Sequence, residues 1–232
     1  METTIYDNFL LLPLFQGLSK NDFTTIIEKV KLNFLTYQPG EVILHQNDNC
    51  QQLVFLLNGE ITIQTTEPQN KYTFSEVIEA PYIVELHSLF GMRPYYAATY
   101  EAKTVAKLLS IDKESVVNIL DKYEVFHLNV LNMLCNQTQI ANLKIWNTHS
   151  GTLEEKIANF LLLRSQKAVG ERTLQITMEV LASLIGETRI RVSNLLNELQ
   201  EKNLLSLKRK EIYIPSLEKL LAELQQPSEE DQ

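Results

Sequence analysis

The sequence predicts an α+β fold with strands in its first half and helices in its second. Three observations carry that expectation. Short alternating apolar runs separated by Gly, Asn, Pro and Asp fill the first half, Lys113 to about Trp146 is almost free of Gly and Pro, and two short amphipathic helical patterns meet at a glycine near the C-terminus. The 232 residues are enough to bury two cores.

In chain order, Leu14 to Ser19 leads into a helix over 21–30, with Ser19 or Asn21 as its N-cap. The clearest strands are Val42 to His45, Leu53 to Leu57, Ile61 to Thr65, Ala97 to Ala102 and Lys107 to Ile111. Asn58-Gly59, between two of them, predicts a type I′ hairpin, and Pro39-Gly40 marks another turn. In the Gly-free and Pro-free stretch, Leu128, Val130, Leu131, Met133, Leu134, Ile140, Ala141 and Ile145 exceed what one packed face needs. Such a helix calls for a partner as well as its own domain.

The most informative stretch is 176–203. Val180, Leu181, Leu184 and Ile185 recur at helical spacing, Gly186 interrupts, and Val192, Leu195, Leu196 and Leu199 resume the period. Thr177 and Thr188 are placed to cap the two helices. Arg189, Ile190, Arg191, Ser193 and Asn194 then face outward from the start of the second helix, where long donors and amides reach base edges or phosphates in a major groove. Residues 204–214 read as a hairpin with Lys208, Arg209 and Lys210 at its tip, a basic wing suited to phosphate. An ordinary helical subdomain also has solvated Arg and Lys; the glycine turn, the cap and the basic tip are each separately required by DNA reading.

The formal net charge of −8 at first opposes a nucleic-acid partner. Its distribution removes the objection: residues 1–145 carry 10 Lys and Arg against 16 Asp and Glu, whereas residues 186–210 carry six basic residues against three acidic ones. Cys50 and Cys135 are too few and too far apart for a disulfide framework or a four-thiolate cluster, which points to a reducing compartment. With no signal-peptide pattern and no apolar run near 18 residues, a cytoplasmic protein without a membrane partner is expected. No Ser/His/Asp or Cys/His arrangement, metal-ligand spacing or phosphate loop stands out, so no enzyme, metal or cofactor is predicted.

These segments together resemble the Crp/Fnr family of bacterial transcription regulators. The resemblance runs from Leu14 to about Leu221 and rests on LFQGLS (14–19), YQPGEVILHQND (37–48), LLNGEITI (56–63), ELHSLFG (85–91), AKT (102–104) and, most specifically, LASLIGETRIRVSNLL (181–196). It implies a cyclic-nucleotide-binding-like β-roll effector domain over 1–112, a long central dimerisation helix and hinge over 113–149 and a winged helix-turn-helix over 150–224; an acidic tail over 225–232 is left, and the composition of SEEDQ after Pro227 predicts disorder there. It also implies a homodimer that presents two reading helices to successive major grooves of a palindromic operator, with RNA polymerase as a further partner. In the family's usual E-G-D turn the glycine is left-handed; Asn47 stands there, the next most tolerant residue.

Departures from the family bear on the effector. Members that bind cyclic AMP resemble one another in G-E-L followed by P-R-[ST]-A, where Glu takes the ribose hydroxyl and Arg the phosphate. Here Val84 precedes Glu85-Leu86, and Pro94-Tyr95-Tyr96-Ala97-Ala98 puts a tyrosine where the arginine is expected. Arg93 is near enough in sequence to substitute. A vestigial pocket, or one holding something other than cyclic AMP, is the expectation, with Asn136, Gln137 and Thr138 of the central helix either lining it or fixing helix register. The absence of cysteine before Cys50 excludes the family's N-terminal iron-sulfur cluster. A haem-based gas sensor needs one imidazole, and of His45, His87, His127 and His149 the two to test are His87, in the pocket segment, and His149, near the hinge. A sensor acting by protein contact alone is the other alternative. Arg189 matches the family's guanine reader, whereas Ile190 and Asn194 replace its Glu and second Arg, implying a different half-site.

Overall fold

The structure is a computed structural model that describes Leu10, residues 12–146 and residues 151–225; His149 and the tail beyond Gln225 lie outside the described residues. The chain forms two compact units, one of Met1–Thr62 with Ile78–Gln139, the other of Ile63–Val77 with Ile140–Gln232.

The first unit opens with a 3-10 turn over Pro13–Phe15 and helix α1, Lys20–Lys29, whose N-cap is Ser19: its hydroxyl accepts the Asp22 N–H at 3.1 Å. Eight strands follow in the chain, of which β4 and β5 run on into the second unit's Ile63–Val77: β1 Asn33–Tyr37, β2 Val42–Leu44, β3 Gln52–Asn58, β4 Glu60–Thr66, β5 Thr73–Glu79, β6 Tyr82–Val84, then, after the short helix α2 (Leu86–Leu89), β7 Thr99–Ala102 and β8 Ala106–Asp112. One sheet has the order β1-β8-β3-β6; in the other, β5-β4-β7-β2 are neighbours. Leu53, Phe55, Leu109 and Ile111 are buried on one face of the first sheet, where the Phe55 ring meets Phe15 at 5.5 Å between centroids, and Leu56 is buried on the other face; Ile61 of β4 is buried as well. Asn47 takes the left-handed conformation expected of it, at φ 72°.

Asn58-Gly59 does not form the expected hairpin. β3 and β4 belong to different sheets, so the chain turns a corner there instead of folding back on itself. Gly59 has φ 92°, while Asn58 is not in the left-handed region, and a type I′ turn needs both. Glycine is required for a second reason: a Cβ on it would stand 2.3 Å from the Val105 carbonyl oxygen. Three of these eight strands escaped the sequence reading. β1 exposes Phe34 and Leu35 instead of alternating, β6 has only three residues, and β5 carries Glu76 at a buried position of its alternation.

The long Gly-free stretch is not one helix. Helix α3, Lys113–Asn118, ends in a 3-10 turn over Leu120–Lys122, and the continuous helix α4 spans Glu124–Trp146. Asn129 on α4 donates to the Leu14 and Gln16 carbonyls at 3.2 and 2.9 Å. Leu128, Leu131, Ile140 and Leu143 along α4 are exposed in the single chain.

In the second unit, helix α5 (Leu153–Arg164) starts in a capping box, with Thr152 Oγ1 accepting the Glu155 N–H and Glu155 accepting the Thr152 N–H. Strand β9 (Arg172–Gln175), helices α6 (Met178–Ile185) and α7 (Arg189–Glu201), strands β10 (Ser206–Lys208) and β11 (Glu211–Ile214) and helix α8 (Leu217–Leu224) complete it. Its sheet runs β10-β11-β9-β5, the tip of the β4–β5 hairpin supplying the last pairing, Thr73 opposite Gln175 to Glu76 opposite Arg172. Phe74 joins Phe160, Leu161, Leu181, Leu196 and Ile212 in the core. Among the described residues no helix is long and apolar enough to cross a membrane.

Candidate nucleic-acid interface and effector segment

The sequence of α6 and α7 dictates a rigid two-helix unit. Thr177 Oγ1 accepts the Val180 N–H at 3.3 Å and starts α6. Gly186, left-handed at φ 69°, ends it, and the Glu187 N–H bonds the Ala182 carbonyl at 2.9 Å, as a glycine C-cap requires. Thr188 then caps α7 through the Arg191 N–H at 3.4 Å. Val192, Leu195, Leu196 and Leu199 face the core, which fixes the azimuth of α7 and leaves the opposite face free.

That face holds the predicted readers. Arg189, Ile190, Arg191 and Asn194 are exposed and Ser193 is half-buried. Ile190 is 73% exposed, an apolar side chain with no packing role in the single chain. The two arginines are held, not free. Arg189 Nε lies 3.0 Å from Glu179 Oε1 on α6, and Arg191 Nη1 lies 2.6 Å from Glu187 Oε2, whose other oxygen takes Lys156 Nζ at 2.6 Å. Hydrogen bonding from Lys156, with help from Arg191, keeps the Glu187 carboxyl below its usual range. Both arginine pairs are exposed on the cation side, where such contacts are weak and a phosphate or guanine competes readily.

The wing forms as a two-stranded hairpin, with Lys208 opposite Glu211 and its ammonium 3.1 Å from that carboxylate. Arg209 and Lys210 make the turn, Lys210 in the left-handed region at φ 60°. The Ile176 N–H donates to the Lys210 carbonyl at 2.9 Å and ties the turn to the chain just before α6. Helix N-terminus, reading face and basic wing are thus parts of one packed body.

The effector segment of the first unit has a different character. Glu85 is buried and left-handed at φ 32°, a conformation that costs a non-glycine residue of order 1 kcal/mol or more. Its carboxylate is fully engaged. Oε2 accepts the Ala97 N–H at 2.7 Å and the Ser88 hydroxyl at 2.7 Å, and Oε1 accepts the Ala98 N–H at 3.1 Å and the Tyr100 hydroxyl at 2.9 Å. Backbone N–H groups of this kind cradle an anion, and here the anion is the protein's own side chain. Leu86 and Tyr96 point into the core. Tyr96 donates to the Gln52 carbonyl at 3.4 Å, and burial beside Cys50 pushes its hydroxyl far above the usual tyrosine range.

Arg93 and Tyr95 are exposed, and among the described residues no hydrogen bond or ion pair joins Arg93 to Glu85. Asn136, Gln137 and Thr138 lie on an exposed stretch of α4, where Thr138 bonds the Leu134 carbonyl at 2.9 Å. Of the nine residues of the expected pocket, the structure brings together Glu85 and Ala97. His45, His87 and His127 are exposed, and among the described residues no cluster of His, Cys, Asp and Glu has metal-binding geometry. A cavity of about 880 Å³ opens elsewhere in this unit, among Leu12, Phe34, Leu57, Gly59, Pro81 and Lys107.

The sequence reading missed the most deeply buried polar group of the second unit. Arg172, at the start of β9, is fully buried, and its Nη2 lies 3.2 Å from Glu76 Oε2 on β5. Glu76 also accepts the Gln166 N–H at 3.0 Å, and Arg172 Nε donates to Ser165 Oγ at 2.9 Å. Beside them Tyr72 stacks under Arg164, which donates to its hydroxyl at 2.9 Å. A glutamate on the apolar phase of a strand was the available signal.

Comparison with known proteins agrees with this anatomy. Residues 34–123 match the cyclic nucleotide-binding domain, and residues 155–223 match the Crp-like helix-turn-helix domain. A global nitrogen regulator of Synechocystis is 25% identical over 77% of this chain and 83% of its own length. Two solved structures share the fold: a Crp/Fnr-family regulator of Eubacterium rectale (TM-score 0.54, 19% identity, 93% of this chain and 98% of that one) and the catabolite activator protein of Thermus thermophilus (TM-score 0.50, 20% identity, 91% and 97%). A nucleotide-binding-type roll followed, after a long helix, by a Crp-like reading unit places the chain in the Crp/Fnr family of transcription regulators.

Proposed function

We propose that this regulator acts as a cytoplasmic homodimer, reads a two-fold-symmetric DNA site through α7, and answers to no cyclic nucleotide. The exposed first turn of α7, mounted on a capped and packed pair of helices, is the observation that carries the DNA reading. Arg189 is assigned to a guanine edge, Ile190 to apolar contact in the groove, Asn194 and Ser193 to base edges or phosphate, and Arg191, Thr177, Thr188, Lys208, Arg209 and Lys210 to the backbone. In this reading residues 1–112 form the effector domain, 113–149 the dimerisation helix and hinge, and 150–224 the reading domain. Exposed Leu128 and Leu131, with Cys135 four residues on, supply a heptad-like stripe on α4 for the partner's helix. RNA polymerase is the further protein partner.

Rejection of cyclic nucleotides is supported by Glu85. Its carboxylate takes the Ala97 and Ala98 N–H groups that a cyclic phosphate would need, and a second anion there meets like charge with no arginine to offset it.

The test is selection from fragmented genomic DNA with the purified, ligand-free protein. Enrichment of one two-fold-symmetric site is the expected outcome, and retention of nothing, with or without cell extract, defeats the reading. Calorimetry with cyclic AMP should show no binding heat; saturable binding would remove the effector part while leaving the DNA part intact.

A further inference from the structure

The second unit has one more group of cations on the side of the sheet that carries the wing turn. Lys208, Glu211, Gln175 and Thr73 stand opposite one another across β10, β11, β9 and β5. The Arg209-Lys210 turn and the tip of the β4–β5 hairpin, residues 67–72, therefore leave the sheet at the same end, three strand spacings or roughly 14 Å apart. The chain leaving β9 for α6 departs at that end too. Asn70, Lys71, Thr177, Arg209 and Lys210 line one open cleft of about 340 Å³, together with Glu211, whose carboxylate is 3.1 Å from the Lys208 ammonium.

The hairpin tip is held in shape by its own bonds. Glu67 Oε2 accepts the Gln69 and Lys71 N–H groups at 2.9 and 3.2 Å, the Asn70 N–H bonds the Glu67 carbonyl at 2.7 Å, and Asn70 is left-handed at φ 56°. The Glu67 carboxylate is thereby turned onto the backbone, while Asn70 and Lys71 are exposed. Among the described residues Lys71, Arg209 and Lys210 have no carboxylate within ion-pair distance, in contrast to Lys208, which has Glu211. Three cations without an ion-pair partner among the described residues, and an amide, thus share one ledge beside the N-terminus of α6, against the single carboxylate of Glu211.

We propose that the tip of the β4–β5 hairpin is a third DNA-contacting element, with Lys71 neutralising a backbone phosphate and Asn70 donating to it or its neighbour. It extends the footprint of α7 and the wing along the duplex by a few nucleotides, since 14 Å is about four base-pair rises. The inference rests on the DNA reading above. It gives that reading a sequence-independent contact contributed by residues that lie, in sequence, inside the nucleotide-binding-type domain.

The test measures binding of the full-length protein to the selected site and to a random-sequence duplex across a salt series. Lys71→Ala should weaken both by the same factor, about 3–10-fold at low salt, and flatten the salt dependence by about one ion per subunit; Lys71→Arg should restore both. If Lys71→Ala binds both duplexes with unaltered affinity and slope while Arg209→Ala loses affinity, the hairpin contact is wrong and the DNA reading stands. If the unaltered chain binds neither duplex, the DNA reading fails and takes this inference with it. Unchanged DNA binding with reduced transcription would assign the tip to a protein partner and overturn the proposal.

Discussion

The two units handle charge in opposite ways. In the first, the Glu85 carboxylate is buried with no ion-pair partner among the described residues and is caged by neutral donors drawn from Ser88 and from residues 97–100. In the second, Glu76 faces a fully buried guanidinium, and the cations nearer the surface, Arg189 and Arg191, are held by pairs open to water. Charge is immobilised in the roll and in the sheet joint, and loosely held on the reading face. Where a macromolecular anion is to be bound, loosely held cations are what is needed, because breaking an exposed pair costs little while breaking a buried one costs several kcal/mol.

The largest effect should come from the buried pair. Arg172→Met leaves Glu76 buried without its cation and should destabilise the second unit by about 3–5 kcal/mol in denaturant unfolding, whereas the double variant Arg172→Met with Glu76→Leu should recover most of the loss. No recovery would mean that the pair is valued for more than charge balance.

Glu85→Ala comes next. It strands two backbone N–H groups and should cost about 2–3 kcal/mol. Because it also uncovers their anion cradle, sulfate or phosphate should raise the melting temperature of Glu85→Ala more than that of the unaltered protein. Equal shifts would show that the cradle collapses when its side chain is removed.

On the reading face Arg189→Ala should lose about 1–3 kcal/mol of binding to the selected site and little to random duplex, as a base-edge contact would. Equal loss on both would reassign Arg189 to phosphate. Thr188→Ala, which removes the α7 cap, should cost about 1 kcal/mol of stability in thermal unfolding.

The smallest effect belongs to pH. Glu187 is held below its usual range in the folded protein, so its pairs contribute stability above that range and lose it as pH falls through the lowered value. Acidification should release Lys156 and Arg191 together, visible as a joint change in their side-chain NMR signals below the ordinary glutamate range. Separate transitions would show that the two pairs are independent.

The reading unit was nearly all legible in the sequence. Thr177, Gly186 and Thr188 act locally, each on a backbone group within five residues, and the apolar period of α6 and α7 needs no distant partner to be recognised. Asn47 and the Ser19 cap were legible for the same reason. The failures are non-local. Asn58-Gly59 carries a hairpin signature, yet the corner it forms is fixed by chain up to 44 residues away, as in the bond from the Glu60 N–H to Thr104 Oγ1 in the turn between β7 and β8. Arg172 finds Glu76 across 96 positions of chain, and Glu85 is saturated by residues that a motif comparison assigns to a ligand. The motif marks where the family's pocket would lie, not that the Glu85 carboxylate already takes the Ala97 and Ala98 N–H groups there.

The pairing of β5 with β9 has one last consequence. Successive side chains of a strand point to opposite faces, so a slip of one residue would turn Glu76 and Phe74 outward together and leave Arg172 facing Ser75 or Val77. A one-residue slip is therefore opposed at once by the burial of Phe74, Glu76 and Arg172, three residues far apart in chain order or in chemistry that share this one register.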